Sequence, residues 1–211
     1  HTNDQAYMLA RLPRQWLGRL LFPIGGYEKT QVRELARGYG IPVADKPDSM
    51  EICFVPDNDY AGFIEREAES VPESGNFVDK NGVILGKHKG ITHYTVGQRK
   101  GLGIAMGHPV YVSEIRPETN EVVIALEDVY SSFLTCNQLN FMGMEDLKEP
   151  RRAFTKVRYS HKGEWCTIEQ TGEDEILCTF EKPVRAIAPG QACVFYDGEY
   201  VLGGGTICNY S

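Results

Sequence analysis

A switch in hydrophobic period near Val71 constrains this chain more than any other feature. Before it, apolar residues recur at helical spacing; after it, they alternate with polar ones, as on half-buried strands. From about Ser131 the chain reads as almost continuous strand. Segments 139–141, 153–159, 165–170, 176–180, 192–196 and 200–202 are separated by turns rich in Gly, Asp and Pro. Six short strands at this spacing predict a small closed antiparallel barrel, since closure leaves no unpaired edge. Upstream, Phe77-Val78 and Val83-Ile84-Leu85 flank Asp79-Lys80-Asn81-Gly82, an Asn-Gly hairpin signal. Segments 110–115 and 121–125 form a second hairpin across Pro117-Glu118-Thr119-Asn120.

The first 70 residues read as helices at 4–12, from Pro13 through Leu21, at 30–39 ended by Gly40, and after an Asp57 cap. Tyr60, Phe63 and Ile64 form the inward face of the last one. These helices have too little apolar surface for a domain of their own. The expected fold class is therefore α+β, mostly β. It has three parts: 1–70 as the helical remnant of a larger domain, 71–130 as a small β-rich central domain, and 131–211 as a six-stranded antiparallel barrel. No run of 18 apolar residues is present, and no charged-then-apolar leader opens the chain, so neither a membrane span nor a signal peptide is expected.

Net charge is −7, which excludes a uniformly basic nucleic-acid coat. The distribution is uneven. Two acid-free windows hold Lys80, Lys87, Lys89, Arg99 and Lys100, and Arg151, Arg152, Lys156, Arg158 and Lys162. A protein with two such windows is suited to meet an anion at chosen places and repel it elsewhere. On an ideal strand through 151–162, Arg152, Lys156, Arg158 and Lys162 share one face, over roughly 33 Å at 3.3 Å per residue. Ala153, Thr155, Val157 and Tyr159 share the other. The basic row is either a phosphate track or a solvated edge kept soluble by its charge.

The six cysteines have no C-x-x-C spacing, so the expectation is no metal site and a reducing, cytoplasmic setting. Cys166, Cys178 and Cys193 sit in strand-like runs and read as small buried hydrophobes. Cys53 differs: it lies between Pro47 and Pro56, in a short segment able to present a reactive thiol. The run Gly97-Gln98-Arg99-Lys100-Gly101-Leu102-Gly103 is either a phosphate-binding bend that uses Arg99 and Lys100 or a flexible connector. His88, His93 and His108 read as RNA-facing or exposed groups, not ligands.

Several segments together resemble the tRNA-specific 2-thiouridylase family, called MnmA or TrmU. They are Asn3-Asp4-Gln5-Ala6-Tyr7, Leu21-Phe22-Pro23-Ile24-Gly25, Asp48-Ser49-Met50-Glu51-Ile52-Cys53-Phe54, and His88-Lys89-Gly90. Tyr94 through Gly103, Lys156-Val157-Arg158-Tyr159, Pro189 through Tyr196 and Leu202-Gly203-Gly204-Gly205 follow in the family's order.

The resemblance implies ATP-dependent thiolation of C2 of the wobble uridine of tRNA. Cys53 matches the family's persulfide cysteine. Asn3, Asp4 and Gln5 match tRNA contacts beside the site; Arg158, Tyr159 and Gln191 match tRNA contacts of the barrel. Arg99, Lys100, Arg152, Lys156 and Lys162 are candidate phosphate contacts.

The family's Ser-Gly-Gly-x-Asp-Ser phosphate loop and partner cysteine are absent, so ATP is expected on an N-terminal domain outside this chain, with no cofactor here. The chain reads as a C-terminal fragment, inactive alone. Glu51 replaces a frequent glycine. Arg158 and Tyr159 face opposite ways on an ideal strand; if both touch tRNA they sit at a strand end or bulge. The expected partners are tRNA and a cysteine desulfurase or sulfur-relay protein, with the chain a monomer. The alternative is a stand-alone, non-catalytic RNA-binding module.

Overall fold

A computed structural model describes residues 5–46, 55, 59–68 and 73–210. Cys53, Asn3, Asp4 and the Asp57 cap lie outside these residues.

The C-terminal half closes into a barrel of six strands: β5 (Tyr130–Phe141), β6 (Arg151–Lys156), β7 (Glu164–Gly172), β8 (Glu175–Arg185), β9 (Ala192–Asp197) and β10 (Tyr200–Asn209). Their order around the barrel is β10-β5-β8-β7-β6-β9, and every pairing is antiparallel. The period of two sends Leu134, Cys136, Ala153, Cys166, Ile168, Ile176, Cys178, Cys193, Phe195 and Ile207 into the interior, all buried. Burying each large aliphatic or aromatic side chain there contributes about 1.5–3 kcal/mol.

The central unit is a four-stranded sheet in the order β2-β1-β4-β3, from β1 (Asn76–Val78), β2 (Ile84–Lys87), β3 (Tyr111–Arg116) and β4 (Glu121–Ala125). β1 runs parallel to β4; the β1–β2 and β3–β4 pairs are antiparallel. The expected hairpin forms: Asp79 accepts from the backbone amides of Asn81 and Val83, and Gly82 takes a φ of 84°. Phe77, Tyr94, Leu102, Val110, Val112, Val122 and Ile124 make its core.

His88 is not the exposed residue expected from sequence. It is buried at 2% exposure, with its ring packed edge-on between Phe77 and Tyr94. Nδ1 accepts from the amides of Gly75 and Gly90, so Nε2 carries the proton and donates to the Asn120 carbonyl at 3.1 Å. His93 pairs with Glu65 at 3.1 Å.

The N-terminal segments divide between the two β units. Helix α1 (Ala6–Leu9) lies on the outside of the barrel, where Tyr7 and Ala10 bury against Val194, Met142 and Val201. Asn140 donates to the carbonyls of Ala10 and Leu12, at 2.7 and 2.9 Å, which pins the chain as it leaves the helix. Pro13 precedes a short 3-10 turn rather than a full helix. Helix α2 (Lys29–Gly38) carries Leu35 exposed, and Tyr27 before it and Tyr39 at its C-cap are exposed too. Helix α3 (Tyr60–Glu67) is capped by Asp59, which accepts from the Gly62 amide, and Glu65 ties it to Thr92 and His93 of the central unit.

The β units meet at Gly97. Its φ is 84°, and a Cβ there would stand 2.5 Å from that of Ala186. The Tyr210 hydroxyl donates to the Ser113 carbonyl at 3.1 Å, and Arg185 pairs with Asp128.

Candidate nucleic-acid interface

The basic strand is shorter than its sequence pattern predicts. β6 ends at Lys156, and Arg158 to His161 form a turn closed by the His161 amide donating to the Arg158 carbonyl at 3.1 Å. The cause is downstream. Gly163 takes a φ of 96°, and the Phe154 ring fills the place where its Cβ would sit, so the chain folds back over Phe154 into β7. Inward alternation holds through Ala153, Thr155 and Val157, all buried, and then stops. Tyr159, inward on an ideal strand, is 42% exposed. Arg158 and Tyr159 thus follow a strand end, the arrangement required if both are to reach one ligand.

Nor is the outward row a line of free cations. Arg152 stacks its guanidinium 3.9 Å above the Trp165 ring and pairs with Glu181 at 2.6 Å. Arg151 pairs with Asp197 at 2.5 Å. Alternation placed Arg152 on the surface but was blind to the carboxylate two strands away. Among the described residues, no carboxylate pairs with Lys156, Arg158 or Lys162. Arg158 instead donates to the Arg185 carbonyl at 2.7 Å, which orients it without neutralising it.

What the fold does assemble is an aromatic and cationic patch. Tyr7 of α1 meets Tyr159 edge-to-face, with ring centroids 6.1 Å apart. The Lys156 ammonium sits 5.7 Å from the Tyr7 ring and 5.8 Å from the Tyr159 ring. Tyr7 donates its hydroxyl to the Ala192 carbonyl at 2.7 Å, and burial pushes its pKa up to about 12. It is a fixed support, while the half-exposed Tyr159 ring is the face open to a ligand. Phe154, Lys156, Tyr196 and Gly198 line a hollow of about 170 Å³ beside Tyr7. Gln5 precedes α1 and is exposed, two residues from this patch. His161 Nδ1 accepts from the Val157 amide at 3.4 Å, which leaves the proton of the neutral ring on Nε2. Burial, then the neighbouring Arg158 and Lys156 charges, hold its pKa below the ordinary value of 6.5.

The other candidates lie elsewhere. Gln191 is exposed in the turn before β9 and lines an open cleft of about 690 Å³ between barrel and central unit. Lys80, Arg116 and Tyr210 share that cleft. Arg99 and Lys100 are exposed, but the bend before them is structural: Gly97 donates to the Val112 carbonyl, and Gln98 bridges the Thr95 amide and the Lys100 carbonyl.

These residues do not fit ATP. Gly97, the first glycine of the run, is taken up by the contact with Ala186, and α2 carries the Glu28 carboxylate of a capping box at its N-terminus, where a phosphate would sit. Cys136, Cys178 and Cys193 converge inside the barrel, where burial pushes the last two well above the usual thiol value.

Three family models cover nearly the whole chain. An aminomethyltransferase β-barrel domain matches residues 131–207. A tRNA methyl transferase PRC-barrel domain matches 61–126, and a tRNA methyl transferase HUP domain matches 1–57. A tRNA-specific 2-thiouridylase MnmA of Lachnoclostridium phytofermentans is 55% identical over 98% of this chain and 58% of its own length. Those of Carboxydothermus hydrogenoformans and Koribacter versatilis are 52% and 46% identical, over 97% and 98% of the chain and 56% and 58% of their own lengths. The chain thus spans less than three fifths of the length of these relatives. By domain order and by identity along its length, the chain belongs to the MnmA/TrmU family of tRNA-specific 2-thiouridylases.

Proposed function

We propose that this chain is the sulfur-carrying and tRNA-recognising part of an ATP-dependent tRNA-uridine 2-sulfurtransferase. In this reading ATP adenylates the C2 oxygen of the wobble uridine, on residues beyond the 211 of this chain. A persulfide on Cys53 then attacks C2 through its terminal sulfur and AMP leaves. A second thiol cleaves the sulfur–sulfur bond, leaving sulfur on the base. The persulfide suits this role because it is more acidic than a thiol, which is only a few per cent ionised near pH 7. A cysteine desulfurase or relay protein is the proposed sulfur source. The chain alone is inactive, and it acts as a monomer in the cytoplasm. No helix of the described residues is long and apolar enough to cross a membrane.

The division into units 1–70, 71–130 and 131–211 is part of the proposal, with α1 docked across onto the third unit. Leu21, Phe22, Ile24, Tyr27 and Tyr39, all exposed here, form the apolar face on which the rest of a HUP domain would pack.

One observation carries the RNA reading: the patch in which Tyr159, supported by Tyr7, offers a stacking face beside Lys156 and Arg158. Bases stack on such rings, and the cations meet phosphates. Asn3, Asp4 and Gln5, just before Tyr7, are proposed to contact the RNA next to the barrel; Gln191, Arg99 and Lys100 are proposed to contact it around the cleft. Arg152 contributes only by exchanging Glu181 for a phosphate.

Salt titration of tRNA binding tests this. If Lys156, Arg158 and Lys162 each displace a counterion, the log–log slope is about −2 to −3. Lys156→Ala should flatten it by nearly one, whereas Arg151→Ala should leave it almost unchanged. A slope near zero, or the same loss from both variants, would remove the patch from the interface.

A further inference from the structure

The barrel interior carries a group of sulfurs that RNA recognition does not use. Cys136 on β5, Cys178 on β8 and Cys193 on β9 are all buried, and their Sγ atoms lie within 4.8 Å of one another. β9 is hydrogen-bonded to neither β5 nor β8, so the three meet across the lumen. A fourth buried sulfur, Cys166 on β7, lies within 3.0 Å of the Thr155 hydroxyl.

A buried cysteine is usually a small hydrophobe, with no reason to seek others. Here three buried thiols from three strands point at one place, with the buried Cys166 on a fourth strand beside them. Thiolates around a tetrahedral zinc at about 2.3 Å stand roughly 3.8 Å apart, so the three sulfurs already within 4.8 Å need only small side-chain shifts. Room is left for them: Gly205 lies beside Cys193 in the ladder, and a Cβ there would come within 3.2 Å of the Cys136 sulfur.

We propose that Cys136, Cys178 and Cys193 bind one Zn²⁺ ion inside the barrel, with Cys166 as the adjacent fourth sulfur. Each coordinating thiol loses its proton to solvent as a zinc–sulfur bond forms, and no oxidation state changes. Thiolate selects soft closed-shell cations. The dication is favoured over Cu⁺ because three thiolates leave it at a net −1 rather than −2 in an apolar interior. The ion joins strands β5, β8 and β9, and its sealed position makes it a staple for the barrel rather than part of sulfur transfer.

The test is metal analysis of the purified, reduced chain refolded with equimolar Zn²⁺, and again with Co²⁺ as a spectroscopic probe. The proposal expects one tightly held zinc per chain, a thiolate-to-cobalt charge-transfer band, and a melting temperature raised by zinc and lowered by a chelator. Cys178→Ala should lose the metal, while the double variant Cys53→Ser/Cys208→Ser should keep it. A wild-type chain that folds without retaining zinc and melts the same with or without it overturns the proposal, even if Cys178→Ala fails to fold. So does zinc that disappears with Cys53 and Cys208.

Discussion

Replacing Gly97 by alanine should weaken the joint between barrel and central unit by an amount the geometry sets. At φ 84° an L-residue is strained, which costs about 1–2 kcal/mol. The new methyl would stand 2.5 Å from the Ala186 Cβ, where carbon atoms normally rest about 3.5–4.0 Å apart. Relieving that overlap in packed surroundings costs about 1–3 kcal/mol more. The sum is about 2–5 kcal/mol, or a fall of roughly 4–20 °C in melting temperature for a chain of this size. Ala186 itself holds a positive φ of 50°. Ala186→Gly should therefore be nearly neutral alone, and should recover the steric share in the double variant Gly97→Ala/Ala186→Gly. Urea unfolding followed by circular dichroism on all four proteins gives the coupling, expected at about 1–3 kcal/mol. A loss under about 1 kcal/mol for Gly97→Ala, or a double variant no better than the single, would refute the close contact.

Other consequences follow from the same geometry. Burial holds the His88 pKa below 6.5, so the folded state binds fewer protons than the unfolded one beneath that value. Stability should be fully present above about pH 6.5 and fall as pH drops through the lower folded pKa; this slope should vanish in His88→Gln. His161 is likewise depressed, beside Arg158 and Lys156; a phosphate bound there would raise its pKa. tRNA affinity should therefore increase below about pH 6.5 in the wild type and not in His161→Gln, as measured by filter binding. Tyr159→Ala should weaken binding by about 1–3 kcal/mol and Tyr159→Phe by little, because the ring face and not the hydroxyl is used; equal losses in gel shift would speak against stacking.

The barrel could be read from the sequence because each strand declares its inward face every second residue and Gly, Asp and Pro mark the turns. Its closure order could not, since no local signal says that β5 lies between β10 and β8. The same limit hid the sulfur cluster: cysteines separated by 42 and 15 positions meet only once strand neighbours are known. Alternation overran at Val157 because apolar and polar residues keep alternating through Tyr159, while the Gly163–Phe154 contact that turns the chain is tertiary. Charge counting found the basic window but not Glu181 or Asp197, which sit on other strands. His88 looked like one more polar residue among lysines, and only the enclosing carbonyl and amides reveal it as a core group. Asn3, Asp4 and Cys53 rest on resemblance alone, whereas the Tyr7–Tyr159 contact carries α1 to the barrel by physical packing.

The central proposal is that one thiol, Cys53 in a proline-flanked segment, delivers sulfur to a base that the barrel helps hold. Its most direct measurement is nucleoside mass spectrometry of tRNA from cells whose only 2-thiouridylase is the whole protein bearing Cys53→Ser. The expected result is complete loss of 2-thiouridine with tRNA affinity unchanged. Thiolation that persists in that variant would contradict the account at its centre.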